Sequence, residues 1–339
     1  MAVKKKTKKL ILNISVLVLS IVMLVAGTGM LYVDNLLGRI QYVEDLSSVA
    51  GTSSVVSETS EQTEILGEPV ILDGLYHDDA ILNILVMGVD DYQEGDVGRT
   101  DSMMLVSLDT RHQKLKLTSF MRDMYVRIPG SSADRINTAY SVGGPSLTVQ
   151  TIENSFGVDI DRFVVVKDEY FNTIINRLGG VEIEITDEEA ELINRYSYSY
   201  SDPVTGGLQQ LDGAQAHYYS RIRDIGSDFG RTERQRKVME SLIHKFQTAD
   251  IGTLNGILYD ILPMITTNMQ KNEILEVAAN ALTYLNYEVE QARVPADGMY
   301  QDETILLYGL PAMILAPDLQ ANSDYLIDFI YEEDRPQNS

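Results

Sequence analysis

The chain has 339 residues, a formal net charge of −23 and no cysteine. Such acidity excludes a nucleic-acid binder, which needs a basic face to displace counterions, and the missing thiolates exclude a zinc site built on sulfur. The four histidines are not paired at ligand spacing, so any metal would be a hard cation held by carboxylate oxygens.

Lys4, Lys5, Lys6, Lys8 and Lys9 precede an uncharged, mostly aliphatic run over residues 10–33. A helix needs about 20 residues to cross the hydrocarbon core, and lysines on the N-terminal side keep that end in the cytoplasm. The apolar core of a cleaved secretory signal is shorter, about 7–15 residues. Residues 1–9 therefore read as a cytoplasmic tail and 10–33 as a retained signal anchor of a single-pass protein. Residues 34–78 read as an extracellular stalk, because the composition shifts to Ser, Thr, Glu and Val from Gly38 to about Pro69. The folded domain is expected over 79–339. With 44% hydrophobic residues it has enough core to do without disulfides outside the cell.

Residues 81–88 form a short apolar run ending in Gly88, as a buried strand does. Two more strands are predicted over 103–108 and 114–119, joined by the polar turn 109–113. Gly144-Pro145 predicts a helix start and Gly157 its stop. A strand follows over 162–166. Asp168 is placed to cap a helix that ends at Gly179-Gly180, and 181–185 reads as another strand. Asp212 and Gln215 have capping-box spacing ahead of a helix carrying His217, and helices dominate from there to Leu285. A last strand over 313–316 and a closing helix over 319–331 complete the pattern. Alternating strands and helices predict an α/β fold, a three-layer αβα sandwich with a central mixed sheet, preceded by one transmembrane helix. The loop from Tyr196 to Tyr200 carries tyrosines that suit either stacking on sugar rings or covering a surface.

Five arginines, Arg221, Arg223, Arg231, Arg234 and Arg236, fall within sixteen residues of this acidic chain. Taken alone, the stretch reads as a solvated helix face, since Asp224, Asp228, Glu233 and Glu240 lie among them. Three further pieces change the weighing. Asp90 follows the first strand, where α/β sheets place ligands. Arg99 and Asp101 enter the next strand, and Arg122 and Asp123 leave another. Carboxylates beside arginines suit a magnesium–diphosphate complex, with oxygens for the metal and guanidinium forks for phosphate. Asp90 and Asp101 are expected to meet across one rim of a mixed sheet, where they repel unless a cation lies between them. Oxygen-only ligands select magnesium, or manganese, over zinc.

The run Asn83-Ile-Leu-Val-Met-Gly-Val-Asp90, Arg99-Thr-Asp101, Phe120-Met-Arg-Asp123, Leu211-Asp-Gly213, Arg221-Ile-Arg223 and Asp228-Phe-Gly-Arg-Thr-Glu-Arg-Gln235 resembles the LytR-CpsA-Psr family, in order and spacing, over residues 81–247. The resemblance implies an exported enzyme of a Gram-positive cell membrane. Such an enzyme moves a glycopolymer, wall teichoic acid or capsule, from an undecaprenyl diphosphate carrier to peptidoglycan. It also implies roles: Asp90 and Asp101 for magnesium, and Arg99, Arg122, Arg221 and Arg223 for the diphosphate. Arg231 and Gln235 complete the binding site, and Asp101 and Asp228 are the candidate bases, with Arg122 and Arg223 acting on the reacting phosphate. An apolar tunnel for the prenyl chain is implied between sheet and helices. The chain departs from the family in having Met121 for a usual proline, Tyr92 for a frequent arginine and His217 for a usual aliphatic residue. Two other functions use the same arginines: a non-catalytic polyprenyl-phosphate-binding scaffold or regulator, and a lipid diphosphate hydrolase. A scaffold has less need for both Asp90 and Asp101.

Overall fold

The computed structural model describes residues 34–43, 65–66, 74–90, 98–199, 201–248, 256 and 259–332. The basic tail and the expected anchor over 10–33 lie outside the described residues, as do Tyr92, Tyr200 and most of the expected stalk. Among the described residues no helix is long and apolar enough to cross a membrane.

The strands are β1 (Gln41–Tyr42), β2 (Ile81–Asp90), β3 (Arg99–Asp109), β4 (Lys114–Phe120), β5 (Tyr125–Val126), β6 (Asp134–Arg135) and β7 (Arg162–Lys167). They continue as β8 (Val181–Ile185), β9 (Gly207–Leu211), β10 (Ile265–Thr267), β11 (Glu288–Val294), β12 (Tyr300–Leu307) and β13 (Leu310–Pro317). The helices are α1 (Thr138–Phe156), α2 (Asp168–Arg177), α3 (Asp187–Tyr196), α4 (Gly213–Arg221), α5 (Ser227–Thr248), α6 (Lys271–Tyr284) and α7 (Leu319–Tyr331).

A seven-stranded sheet runs β1-β10-β7-β2-β3-β4-β11. It is mixed, as the turn at 109–113 predicts: β2–β3 and β3–β4 are antiparallel, whereas β2–β7 and β4–β11 are parallel. On one face Leu85, Met87, Leu105, Phe163 and Val294 are buried against Ile152 and Phe156 of α1 and Leu326 and Ile330 of α7. On the other face, paired positions bring Ile84, Val86, Val106, Val164 and Val166 together at the sheet centre, all only half-buried. A central strand in α/β proteins normally buries both faces. Here one face is covered only in part. Helices α2 and α5 pack on this side, against β2, β7 and β4, and a second cluster of Ile175, Val181, Ile183, Ile193, Leu211, Tyr219 and Val238 ties them to α4.

Several expected elements fall elsewhere. β8 pairs only with β9, as a separate two-stranded ribbon. Its alternation explains why: Val181, Ile183 and Ile185 point into the second cluster while Glu182 and Glu184 face water, so only one face can be covered. The strand expected over 313–316 belongs to a β12–β13 hairpin outside the main sheet. The helical stretch expected up to Leu285 is interrupted by β10, and β11, which follows it, gives the sheet an edge strand too polar to stand out by periodicity. α1 begins at Thr138, before Pro145, and breaks at Gly143-Gly144, so that proline starts its second half; Gly157 closes it at φ 73°. The expected stalk is partly folded onto the domain: β1 joins the sheet beside β10, and Leu36 and Leu37 are buried.

Candidate functional site

The rim of the sheet at the carboxyl ends of β2 and β4 gathers the charged residues. Asp90 ends β2, and Gly98 lets the chain return against it. A Cβ on Gly98 would stand 2.6 Å from the Asp90 carbonyl oxygen, and its φ of +73° also favours glycine. That close approach sets Arg99 opposite Asp90 and brings Asp101 onto the same rim.

Arg221 is the hub. The Asp212–Gln215 capping box fixes α4 at its start, and Arg221 stands at its last turn. Nη2 donates to Asp90 Oδ2 at 2.9 Å and lies 3.7 Å from Asp101 Oδ2, while Nη1 donates to Asp168 Oδ2 at 2.8 Å. Asp101 also accepts from Nη1 of Arg122, whose Nε lies 3.4 Å from Asp123 Oδ2. A pocket of about 330 Å³ opens here, lined by Asp101, Arg221, Arg223, Arg231 and Gln235. Arg231 and Gln235 reach it from one face of α5, at i and i+4.

The arginine cluster divides in two. Arg221, Arg223 and Arg231 line the pocket. Arg234 is buried and structural, donating to Glu189 at 2.7 Å and to the carbonyls of Ile222 and Ile225, which pins the loop between α4 and α5. Arg236 donates to Gln291 of β11 at 3.1 Å. Arg99 is exposed and is not among the pocket-lining residues. The backbone of Asp228 begins α5, but its side chain lies outside the description.

Asp168 and His217 are site residues that the sequence does not reveal as such. Asp168 does not cap α2 as expected: Lys167 occupies the N-cap, and the Asp168 carboxylate turns to Arg221 and to His217 Nε2, 2.8 Å away. Burial opposes its charge, yet His217 and Arg221 outweigh burial and hold its pKa below the usual carboxylate value. His217 Nε2 also lies 3.1 Å from Arg221 Nη1. One Nε2 cannot accept from Arg221 and donate to Asp168 at once, so the imidazole serves one of these partners at a time. The available signal was positional: Asp168 follows β7, the parallel neighbour of β2, at the end where such sheets bind ligands.

A divalent cation suits this corner in donor chemistry. Two carboxylate oxygens, from Asp90 and Asp101, already face one cationic atom, Arg221 Nη2. Magnesium typically takes one or two carboxylates and completes its shell with phosphate and water. Among the described residues, the groups of three potential ligands are His77–Asp159–Asp161 and Asp109–His112–Glu332, neither on this rim. The second already holds a cation, the buried Lys116.

The LytR_cpsA_psr family model matches residues 46–316. The chain belongs to the LytR-CpsA-Psr family. It is 32% identical over 266 residues to a polyisoprenyl-teichoic acid–peptidoglycan teichoic acid transferase, TagU, of Oceanobacillus iheyensis, covering 76% of each chain. The crystal structure of B. subtilis TagV superposes with a TM-score of 0.60 at 26% identity, over 75% of this chain and 98% of that one. A TagT structure with bound octaprenyl pyrophosphate lipid, 21% identical with a TM-score of 0.56, covers 74% of this chain and 91% of its own, and shares the fold. The mixed sheet at the centre of this chain is thus that of LytR-CpsA-Psr structures.

Proposed function

We propose that this protein is a membrane-anchored, extracytoplasmic phosphotransferase that moves a glycopolymer from a polyprenyl diphosphate carrier to peptidoglycan. The observation that carries this is the pocket itself. Three arginines and a glutamine converge with a carboxylate in about 330 Å³, on a chain of net charge −23. Guanidinium forks match the oxygens of a diphosphate. The half-buried apolar face of Ile84, Val86, Val106, Val164 and Val166 would offer the prenyl chain a bed on the same sheet. The curated relatives, named as teichoic acid transferases, support the same chemistry.

In the reaction, a sugar hydroxyl of peptidoglycan attacks the phosphorus that bears the glycan. The new O–P bond makes a phosphodiester, the bridging P–O bond breaks, and prenyl monophosphate leaves; the hydroxyl proton passes to a base. Such transfers rest on positioning and charge neutralisation. Arg221, Arg223, Arg231 and Gln235 bind the diphosphate, with Arg99 and Arg122 at its edge, and Arg122 and Arg223 take up charge on the reacting phosphate. Asp168 fixes the direction of the Arg221 fork. Asp228 is the preferred base, because Asp101 is already engaged by Arg122 and Arg221. Magnesium, held by Asp90 and Asp101, would neutralise phosphate charge. Residues 10–33 would anchor the domain beside its lipid donor.

The test is acceptor dependence. Given a prenyl-diphosphate-linked glycan, the protein should release prenyl monophosphate only when peptidoglycan oligomers are added. Release in water alone would make it a hydrolase, and tight binding without release would make it a scaffold.

A further inference from the structure

The most exposed large apolar side chains of the folded domain include four on one hairpin. Leu306, Tyr308, Leu310 and Met313 on β12–β13 are 69–79% exposed. The turn is tight: Leu307 pairs with Leu310, and both Tyr308 and Gly309 have positive φ, the two-residue geometry that matches strand twist. A soluble surface rarely concentrates apolar area in this way without a partner.

The hairpin is joined to the candidate site. The backbone N–H of Leu315 donates to the carbonyl of Asp123, the residue after Arg122, at 2.9 Å, and Met124 forms a bridge with Leu315. At the tip, the Tyr308 hydroxyl donates to Asp134, and Arg99 and Arg135 both act on it electrostatically. Arg135 in turn lies 3.5 Å from Asp123. The apolar tip therefore stands beside Arg99 and Arg135, which share this side of the domain with Asp123 and Asp134.

We propose that this tip docks into the headgroup–acyl boundary of the phospholipid bilayer, beside the mouth of the site. The proposal rests on the phosphotransferase reading, in which the donor's diphosphate lies at that boundary. Three features select a bilayer over another occupant. Aliphatic side chains with an adjoining tyrosine and arginines have the composition of an interfacial anchor. Arg99, exposed beside the tip, complements anionic headgroups, which would repel most of the chain. The acidic pair Asp302 and Glu303 is set back from the turn by about 13 Å or more, at roughly 3.3 Å of rise per residue. Interfacial insertion reaches about 5–10 Å, which leaves those carboxylates in water.

The chain has no cysteine, so one introduced thiol reports a single position. Leu310→Cys in the full chain, labelled with an environment-sensitive fluorophore, goes into nanodiscs of phosphatidylcholine and phosphatidylglycerol containing spin-labelled lipid. Tyr198→Cys, 88% exposed on another loop, is the control. The proposal expects blue-shifted emission at 310 and quenching several-fold stronger than at 198. Equal quenching at both positions, or shielding at 310 that follows protein concentration instead of spin-labelled lipid and so indicates a second copy, would overturn it. Leu310→Ser with Met313→Ser should also lower kcat/KM several-fold for a nanodisc-embedded donor but not for a soluble short-chain donor. Fluorescence needs no turnover, so a failed transferase assay leaves the docking result readable.

Discussion

Replacing Arg221 by lysine keeps the charge and removes the fork, which makes it a sharp probe of the site. The guanidinium serves Asp168 through Nη1 at 2.8 Å and Asp90 through Nη2 at 2.9 Å. A lysine ammonium is a point donor and holds one of these partners at that separation. Each hydrogen bond to a charged group is worth about 1.5–3 kcal/mol. The Arg221 side chain is 31% exposed, so screening should leave a stability loss of only about 1 kcal/mol, or roughly 2–4 °C in Tm. Turnover should fall much further. Loss of one preorganised donor to developing charge costs on the order of 10²–10³ in kcat. Steady-state transfer of a lipid-linked glycan, with circular dichroism melting on the same preparations, separates the two effects. Arg221→Lys with turnover within a few-fold of wild type would refute the reasoning, because the fork would then be only a salt-bridge partner.

Chelation should abolish transfer and magnesium restore it, and Asp101→Asn should lower rate and metal dependence together with the fold retained; equal rates in chelator and in magnesium would leave Asp90 and Asp101 as arginine partners alone. Asp168, with its lowered pKa, binds fewer protons folded than unfolded near its usual value of 3.8. Its contribution is thus present above that value and lost as pH falls through the depressed one. Stability curves of wild type and Asp168→Asn should differ by a constant amount at neutral pH and converge in acid. Lys116→Ala should cost about 3–5 kcal/mol in denaturant unfolding, because Lys116 and Asp109 are both fully buried and the carboxylate would lose its cation. A loss below about 1 kcal/mol would mean that His112 and the backbone N–H groups suffice to hold Asp109.

The central strands were legible because their apolar runs and bounding turns are local signals, and 81–88, 103–108, 114–119 and 162–166 all lie within strands of the main sheet. What failed was pairing. β8 alternates cleanly, yet nothing local says whether such a strand joins the main sheet or forms a ribbon with β9. β11 was missed because its edge position lets it carry Glu288, Glu290 and Gln291. Of the pocket residues, Asp101, Arg221, Arg223 and Arg231 were visible as charge near strand or helix ends, and Gln235 only through the resemblance of residues 228–235 to the family. Asp168 and His217 were not, since the same carboxylate can cap a helix or hold an arginine, and only the fold brings residue 168 to residue 221.

The most direct measurement is mass spectrometry of the reaction product. The full chain is incubated with magnesium, a polyprenyl-diphosphate-linked teichoic acid precursor and peptidoglycan oligomers, and the muropeptides are then analysed. The account predicts a muropeptide carrying the glycopolymer through one phosphodiester, in stoichiometric amount with prenyl monophosphate. Unmodified muropeptides alongside consumed donor, or intact donor after prolonged incubation with folded protein, would contradict it.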